Sequence, residues 1–217
     1  PALAVPKFPE QGKERFLSAS EYARLFDTLL AAEGKEHPSV VACVKLLALT
    51  GARLSEILTL KWDWVDFEHA ALRLPDSKTG AKIVPLAAPA LAVLASLPRL
   101  SAYVLPGADL TGHFVGNQKP WRRIRAAAGM PDLRLHDLRH GFASVGAQSG
   151  ESLKLLGGVL GHKQSSTTEK YAHLSQDPLT AAANRIAAKI DAAAKSGGGN
   201  LTPHPLYLKT KNRRQIL

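Results

Sequence analysis

Six side chains spread along this chain have types suited to one reaction: Arg53, Lys78, His136, Arg139, His162 and Tyr171. Two guanidiniums, one ammonium and two imidazoles around a phenol suit a phosphodiester attacked by an oxygen nucleophile. Arginine forks match two non-bridging phosphate oxygens and neutralise charge that grows in the transition state. An ammonium or an imidazole can protonate the leaving alkoxide. A tyrosine oxygen can hold the phosphoryl group covalently between two steps. No acidic triad for Mg²⁺ is evident, so cationic side chains would stand where many nucleases use a metal. The expectation is therefore no metal and no cofactor.

Each residue alone has a plainer reading. Arg53 could be a surface arginine, Lys78 a solvated turn lysine, His162 a helix C-cap and Tyr171 a buried aromatic. Context adds weight. Arg53 lies in a bend between apolar segments, with Glu56 three residues on, and a carboxylate at that spacing can fix a guanidinium in one rotamer. His136 and Arg139, three apart, share a helix face, with Leu138 anchoring the opposite one. His136 and His140 have the four-residue spacing of a metal pair, but no Cys or carboxylate cluster lies nearby. Zinc is not expected, and His140 reads as a supporting or core histidine. After Leu160-Gly161-His162, the run Ser165-Ser166-Thr167 caps a short helix that would carry Tyr171 about one turn in.

The elements that must position these groups are mostly helical. Ser18-Ala19-Ser20-Glu21 predicts a capping box, and apolar residues recur through Tyr22, Leu25, Phe26, Leu29 and Leu30. A central helix follows over 38–49, with Pro at its start and Gly51 after its end. One or two helical turns cover 55–60. The period then shortens: 65–68, 71–74 and 82–86 read as strands, with Lys78 at the tip of a hairpin rich in turn formers. Trp62 and Trp64 read as packing beside this sheet. Helices are predicted over 88–97, 117–128, 137–149, 152–160, 167–174 and 178–195, with a short extra strand at 103–105. The fold class is mainly α with a small antiparallel β-sheet, α+β. Residues 1–17 read as a linker or arm, 18–195 as the domain, and 196–217 as a flexible basic tail after Ser196-Gly197-Gly198-Gly199.

Composition bounds the partner. There are 28 Lys and Arg against 18 Asp and Glu, a formal charge of +10, which calls for a polyanion: DNA, RNA or an anionic membrane surface. Part of the excess is local, because residues 192–217 hold five basic side chains and no acidic one. One cysteine, Cys43 in an apolar run, excludes an internal disulfide framework and fits a reducing cytosol. No run is long enough to span a membrane, and no signal peptide is evident.

Five blocks stand in order: Thr50-Gly51-Ala52-Arg53-Leu54-Ser55-Glu56-Ile57-Leu58, Ser77-Lys78-Thr79-Gly80, His136-Asp137-Leu138-Arg139-His140, Leu160-Gly161-His162, and Thr167-Thr168-Glu169-Lys170-Tyr171-Ala172-His173. Together they resemble the catalytic domain of the tyrosine recombinases, the phage-integrase family. The resemblance implies Arg53 and Arg139 as phosphate clamps and Tyr171 as nucleophile. It implies Lys78 as general acid, His136 as proton acceptor near Tyr171, and His162 as a phosphate ligand. It further implies double-stranded DNA as substrate, site-specific recombination for a mobile element or prophage, and action in the cytoplasm at the nucleoid. A tetramer of protomers on two DNA sites and accessory DNA-bending proteins belong to the same expectation. Family members pair this domain with a separate N-terminal DNA-binding domain, so the chain is expected to be a catalytic fragment rather than an unusually short member. A helix over 178–195, with Ile186 and Ile190 on one stripe, would then dock on its own domain or on a neighbouring protomer. The alternatives are a type IB topoisomerase, which rejoins the same strand, and a DNA-binding module that has lost catalysis.

Overall fold

A computed structural model describes residues 15–75, 80–161, 166–169, 171, 186, 187 and 190. Its elements are helices α1 (Ala19–Ala32), α2 (Pro38–Thr50) and α3 (Leu54–Leu58), strands β1 (Val65–Asp66), β2 (Ala71–Leu74) and β3 (Lys82–Pro85), then α4 (Ala88–Ser96), α5 (Gln118–Ala127), α6 (Leu135–Gln148), α7 (Leu153–Leu160) and α8 (Ser166–Glu169). The three strands form one antiparallel sheet in the order β1-β2-β3, with Leu72 opposite Val84 and Leu74 opposite Lys82. The fold is mainly helical with a small sheet.

Local chemistry sets the boundaries. The capping box of α1 is formed: the Glu21 N–H donates to Ser18 Oγ at 3.2 Å, and the Ser18 N–H donates to Glu21 Oε2 at 2.9 Å. Helix α2 begins at Pro38 and ends at Gly51, whose left-handed φ of 62° stops it. It is buried on nearly every face and packs against α1, α3, α4 and α6, as its apolar run requires. Cys43 lies inside it, 1% exposed, and burial pushes its thiol up to about 12.

Strand β1 is shorter than its residues suggest. The Asp66 carboxylate accepts the N–H of His69 at 2.9 Å and closes a turn there. The expected strand at 103–105 reduces to a single bridge between Tyr103 and Lys61. The 3₁₀ turn Trp62–Trp64 leads the chain away immediately after Lys61, so pairing cannot propagate. Helix α6 starts two residues before Asp137. That carboxylate sits at the third helical position and accepts the Arg134 N–H at 2.8 Å, rather than capping the helix itself.

By its contacts the chain divides at Leu174 into two units. Of the second, Ile186, Ala187 and Ile190 are helical and exposed; the rest of the helix expected over 178–195, like the arm before residue 15 and the basic tail, lies outside the described residues. Among the described residues no helix is long and apolar enough to cross a membrane.

Gly51 tests the central packing. A Cβ there would stand 2.6 Å from Phe142 Cδ1 and 2.9 Å from Leu160 Cδ2, at a φ that L side chains resist. Gly51→Ala is expected to destabilise the domain by about 2 kcal/mol or more, read as the urea unfolding midpoint. An unchanged midpoint would show that α2, α6 and α7 are not wedged together at this point.

Candidate active site

The site forms where α3, α6, β3 and the ends of α2 and α7 meet. Arg53 occupies the N-cap of α3, and Glu56, one turn in, accepts twice from it. The Arg53 backbone N–H donates to Oε2 at 2.8 Å, and Nη1 donates to Oε1 at 2.8 Å. The other guanidinium nitrogen, Nη2, reaches the Gly161 carbonyl at 3.3 Å. The spacing read from the sequence therefore does what a three-residue carboxylate can do. It holds the guanidinium in one rotamer.

Arg139 joins two helix ends. Its Nη1 donates to the Gly51 carbonyl at 2.6 Å and its Nη2 to the Leu160 carbonyl at 2.9 Å. Those carbonyls terminate α2 and α7, where the helix dipoles leave partial negative charge. Arg139 is 6% exposed. Burial and then the neighbouring Arg53 push its pKa down to about 10, against the upward pulls of Glu56 and Tyr171, so it stays cationic at neutral pH.

Tyr171 lies in a turn after α8, its N–H donating to the Thr168 carbonyl at 3.0 Å. Tyr171 is 2% exposed and its ring packs with Ala143, Ala147, Leu156 and Leu160, with Phe16 edge-on at 6.4 Å. Gly157 gives α8 its seat, since a Cβ there would stand 3.1 Å from Thr168 Oγ1. The phenol oxygen lies 2.7 Å from Nδ1 of His140. His136, one turn earlier and exposed, meets the His140 ring edge to face at 4.7 Å. The structure thus brings Arg53, Arg139, Tyr171 and the two histidines of α6 into one site. Lys78 and His162 lie outside the described residues.

One cation here escaped the sequence reading. Lys82 of β3 has a side chain 9% exposed, and its Nζ pairs with Glu56 Oε2 at 2.7 Å. Gly161 lets it in, because a Cβ there would stand 2.9 Å from Lys82 Cδ. Burial lowers the Lys82 pKa, Glu56 pulls it back up, and Arg53 and Arg139 push it down again, leaving it below the usual lysine value. The signal was present in the alternation. Lys82, Val84 and Leu86 share the inward face of the strand, while Ile83 points out, 58% exposed. Among the described residues, no three His, Cys, Asp or Glu side chains converge as a metal site would need.

Glu56 carries a pH signature. Burial pushes its carboxyl up, but the bonds from Lys82 and from the backbone and side chain of Arg53 outweigh that and hold it below the usual carboxylate value. A depressed carboxylate stabilises the fold above its unfolded pKa, and the contribution is lost as pH falls through the folded value. Glu56→Gln is expected to unfold at lower urea concentration at neutral pH, and to lose less further stability than the wild type as pH falls below about 4.5. Parallel acid profiles for the two proteins would show that Glu56 does not couple to folding.

Comparison with known proteins gives the family and the fold. The phage integrase family model matches residues 15–177. The prophage integrase IntF of Escherichia coli strain K12 is 30% identical over 156 residues, covering 69% of this chain and 33% of IntF. The XerA recombinase crystal structure is 25% identical with a TM-score of 0.61, covering 79% of this chain and 65% of XerA. The catalytic domain of bacteriophage HP1 integrase superposes with a TM-score of 0.61 at 24% identity, covering 79% of this chain and 95% of that domain. The chain spans a third to two thirds of the length of the first curated relatives it matches.

Proposed function

Since the chain belongs to the phage integrase family, we propose that it cleaves and rejoins DNA through a 3′-phosphotyrosyl intermediate on Tyr171, as the catalytic part of a site-specific recombinase. The observation that carries this reading is the coupling of Arg53, Arg139 and Tyr171. Arg139 stands close enough to both that Arg53 pushes its pKa down and Tyr171 pulls it up. A buried phenol beside two guanidiniums suits nucleophilic attack on a dianionic transition state.

In the proposed reaction the Tyr171 oxygen bonds to phosphorus as the bond from phosphorus to the 5′-oxygen breaks. Arg53 and Arg139 bind the non-bridging oxygens, and His162 adds a further donor to them. Lys78 protonates the 5′-oxygen as it leaves. The phenol proton passes to an imidazole of α6, a role the family resemblance gives to His136. Attack by a 5′-hydroxyl of another strand then reverses each step. One phosphodiester replaces another of similar energy, so no ATP is consumed. Double-stranded DNA is the partner, with a tetramer of protomers assembled on two sites and accessory DNA-bending proteins setting direction. Residues 18–195 form the catalytic domain. Integration or excision of a mobile element or prophage is the task in keeping with the likeness to IntF, and it sets the work in the cytoplasm, at the nucleoid.

DNA recovered by cross-linking to the protein supplies the site for a test. A duplex carrying that site with a nick beside the scissile position traps the cleaved strand, because the short flanking piece diffuses away. An SDS-resistant protein–DNA adduct is expected, formed equally in EDTA because side-chain cations carry the charge. No adduct, or an adduct that needs added Mg²⁺, would overturn the mechanism. Relaxation of supercoiled plasmid without any paired site would favour a topoisomerase.

A further inference from the structure

We infer that His140, rather than serving only as a core histidine, accepts the phenol proton of Tyr171 during strand cleavage and returns it during rejoining; this rests on the reading of Tyr171 as nucleophile. The contact is direct, 2.7 Å from Nδ1 to the phenol oxygen. A general base must stand within hydrogen-bond reach of the proton it takes, and the phenol has this partner in place. Tyr171 is 2% exposed, so bulk water has little access to carry its proton away.

The surroundings fix the ring. His140 follows Arg139 on α6, so the helix that anchors the arginine also sets the base. The His136 ring stands nearly perpendicular to it, at 88°. The tyrosine is pinned on its other sides by Phe16 and by Ala143 and Ala147 of the same helix. In the proposed step the bond from Tyr171 oxygen to phosphorus forms, the bond from phosphorus to the 5′-oxygen breaks, and the phenol proton moves to Nδ1. The leaving oxygen takes its own proton from another donor. For this the resting imidazole carries its hydrogen on Nε2, and the lone pair of Nδ1 accepts from the phenol. In rejoining, His140 gives the proton back as the phenolate departs.

The test compares His140→Asn with wild type on a nicked site duplex and on the same duplex with sulfur in place of the bridging 5′-oxygen. Asn places a hydrogen-bonding group near the Nδ1 position but cannot take a proton, and a thiolate leaves without needing one. A drop of about 10²-fold or more in adduct formation is expected on both substrates, with DNA affinity held. Cleavage within a few fold of wild type would overturn the inference, as would full recovery on the sulfur duplex, which would move His140 to the leaving-group side. Tyr171→Phe in the same assay separates the two claims. An adduct persisting there removes Tyr171 as nucleophile, whereas its loss beside an active His140→Asn removes only His140 as the base. Nitrogen NMR of the histidine-labelled wild-type protein needs no variant to fold. An unprotonated Nδ1 at pH 7.5 is expected, and a protonated Nδ1 donating to the phenol would overturn the assignment.

Discussion

Tyr171→Phe is expected to abolish the covalent DNA adduct while leaving the fold and DNA binding nearly unchanged. The substitution removes one oxygen and keeps the ring. Phe16 edge-on, with Ala143, Ala147, Leu156 and Leu160 around it, packs against ring carbons that phenylalanine retains. What is lost is the 2.7 Å hydrogen bond to His140, worth about 1 kcal/mol net. For a domain of this size that amounts to a shift in Tm of about 2–4 °C. Arg53 and Arg139 keep their partners, so the guanidiniums that would meet the phosphate stay in place. Adduct formation read on a denaturing gel, with affinity measured on uncleaved duplex, checks both halves. An adduct at wild-type level would remove Tyr171 from the reaction. Loss of DNA binding together with the adduct would make the tyrosine a structural post.

What could be read in the sequence was what lies close along the chain. Arg53 and Glu56 are three residues apart on one turn, and their pairing follows from helix geometry alone. The capping box at Ser18 and the stop at Gly51 are equally local, and both form. The site's partnerships over distance are different in kind. Arg139 meets carbonyls 88 and 21 residues away, and His140 meets a phenol 31 residues away. Residue types suggested that the arginines and the tyrosine belong together, but no spacing could say which histidine of α6 stands at the phenol. Lys82 was legible in principle, since it keeps step with Val84 and Leu86. A lysine on an apolar strand face only makes sense once Glu56 is known to stand opposite. The strand expected at 103–105 failed for a local reason on its partner's side, the turn at Trp62–Trp64. That turn leaves Tyr103 one bridge to Lys61.

Replacing either arginine with lysine is expected to cost about 10²-fold or more in cleavage rate, because an ammonium cannot bind two phosphate oxygens as a fork. The two variants should differ in stability, and the difference follows from their surroundings. Arg53 is 20% exposed, and its partners are Glu56, which Lys82 also holds, and the Gly161 carbonyl at 3.3 Å. A lysine at 53 can still pair with Glu56, and Lys82 stays to neutralise that carboxylate if it does not. Arg139 is buried, and its two arms close the C-termini of α2 and α7 against each other. A single ammonium reaches one of those carbonyls well and leaves the other without its donor, at a cost of about 1–3 kcal/mol. Arg139→Lys should therefore unfold at clearly lower urea concentration than Arg53→Lys, although both cleave poorly. Cleavage rates on the nicked duplex and urea midpoints for the two variants give the comparison. Near-normal cleavage by both would make these arginines structural. Equal midpoints would show that the tie between α2 and α7 does not depend on the fork of Arg139.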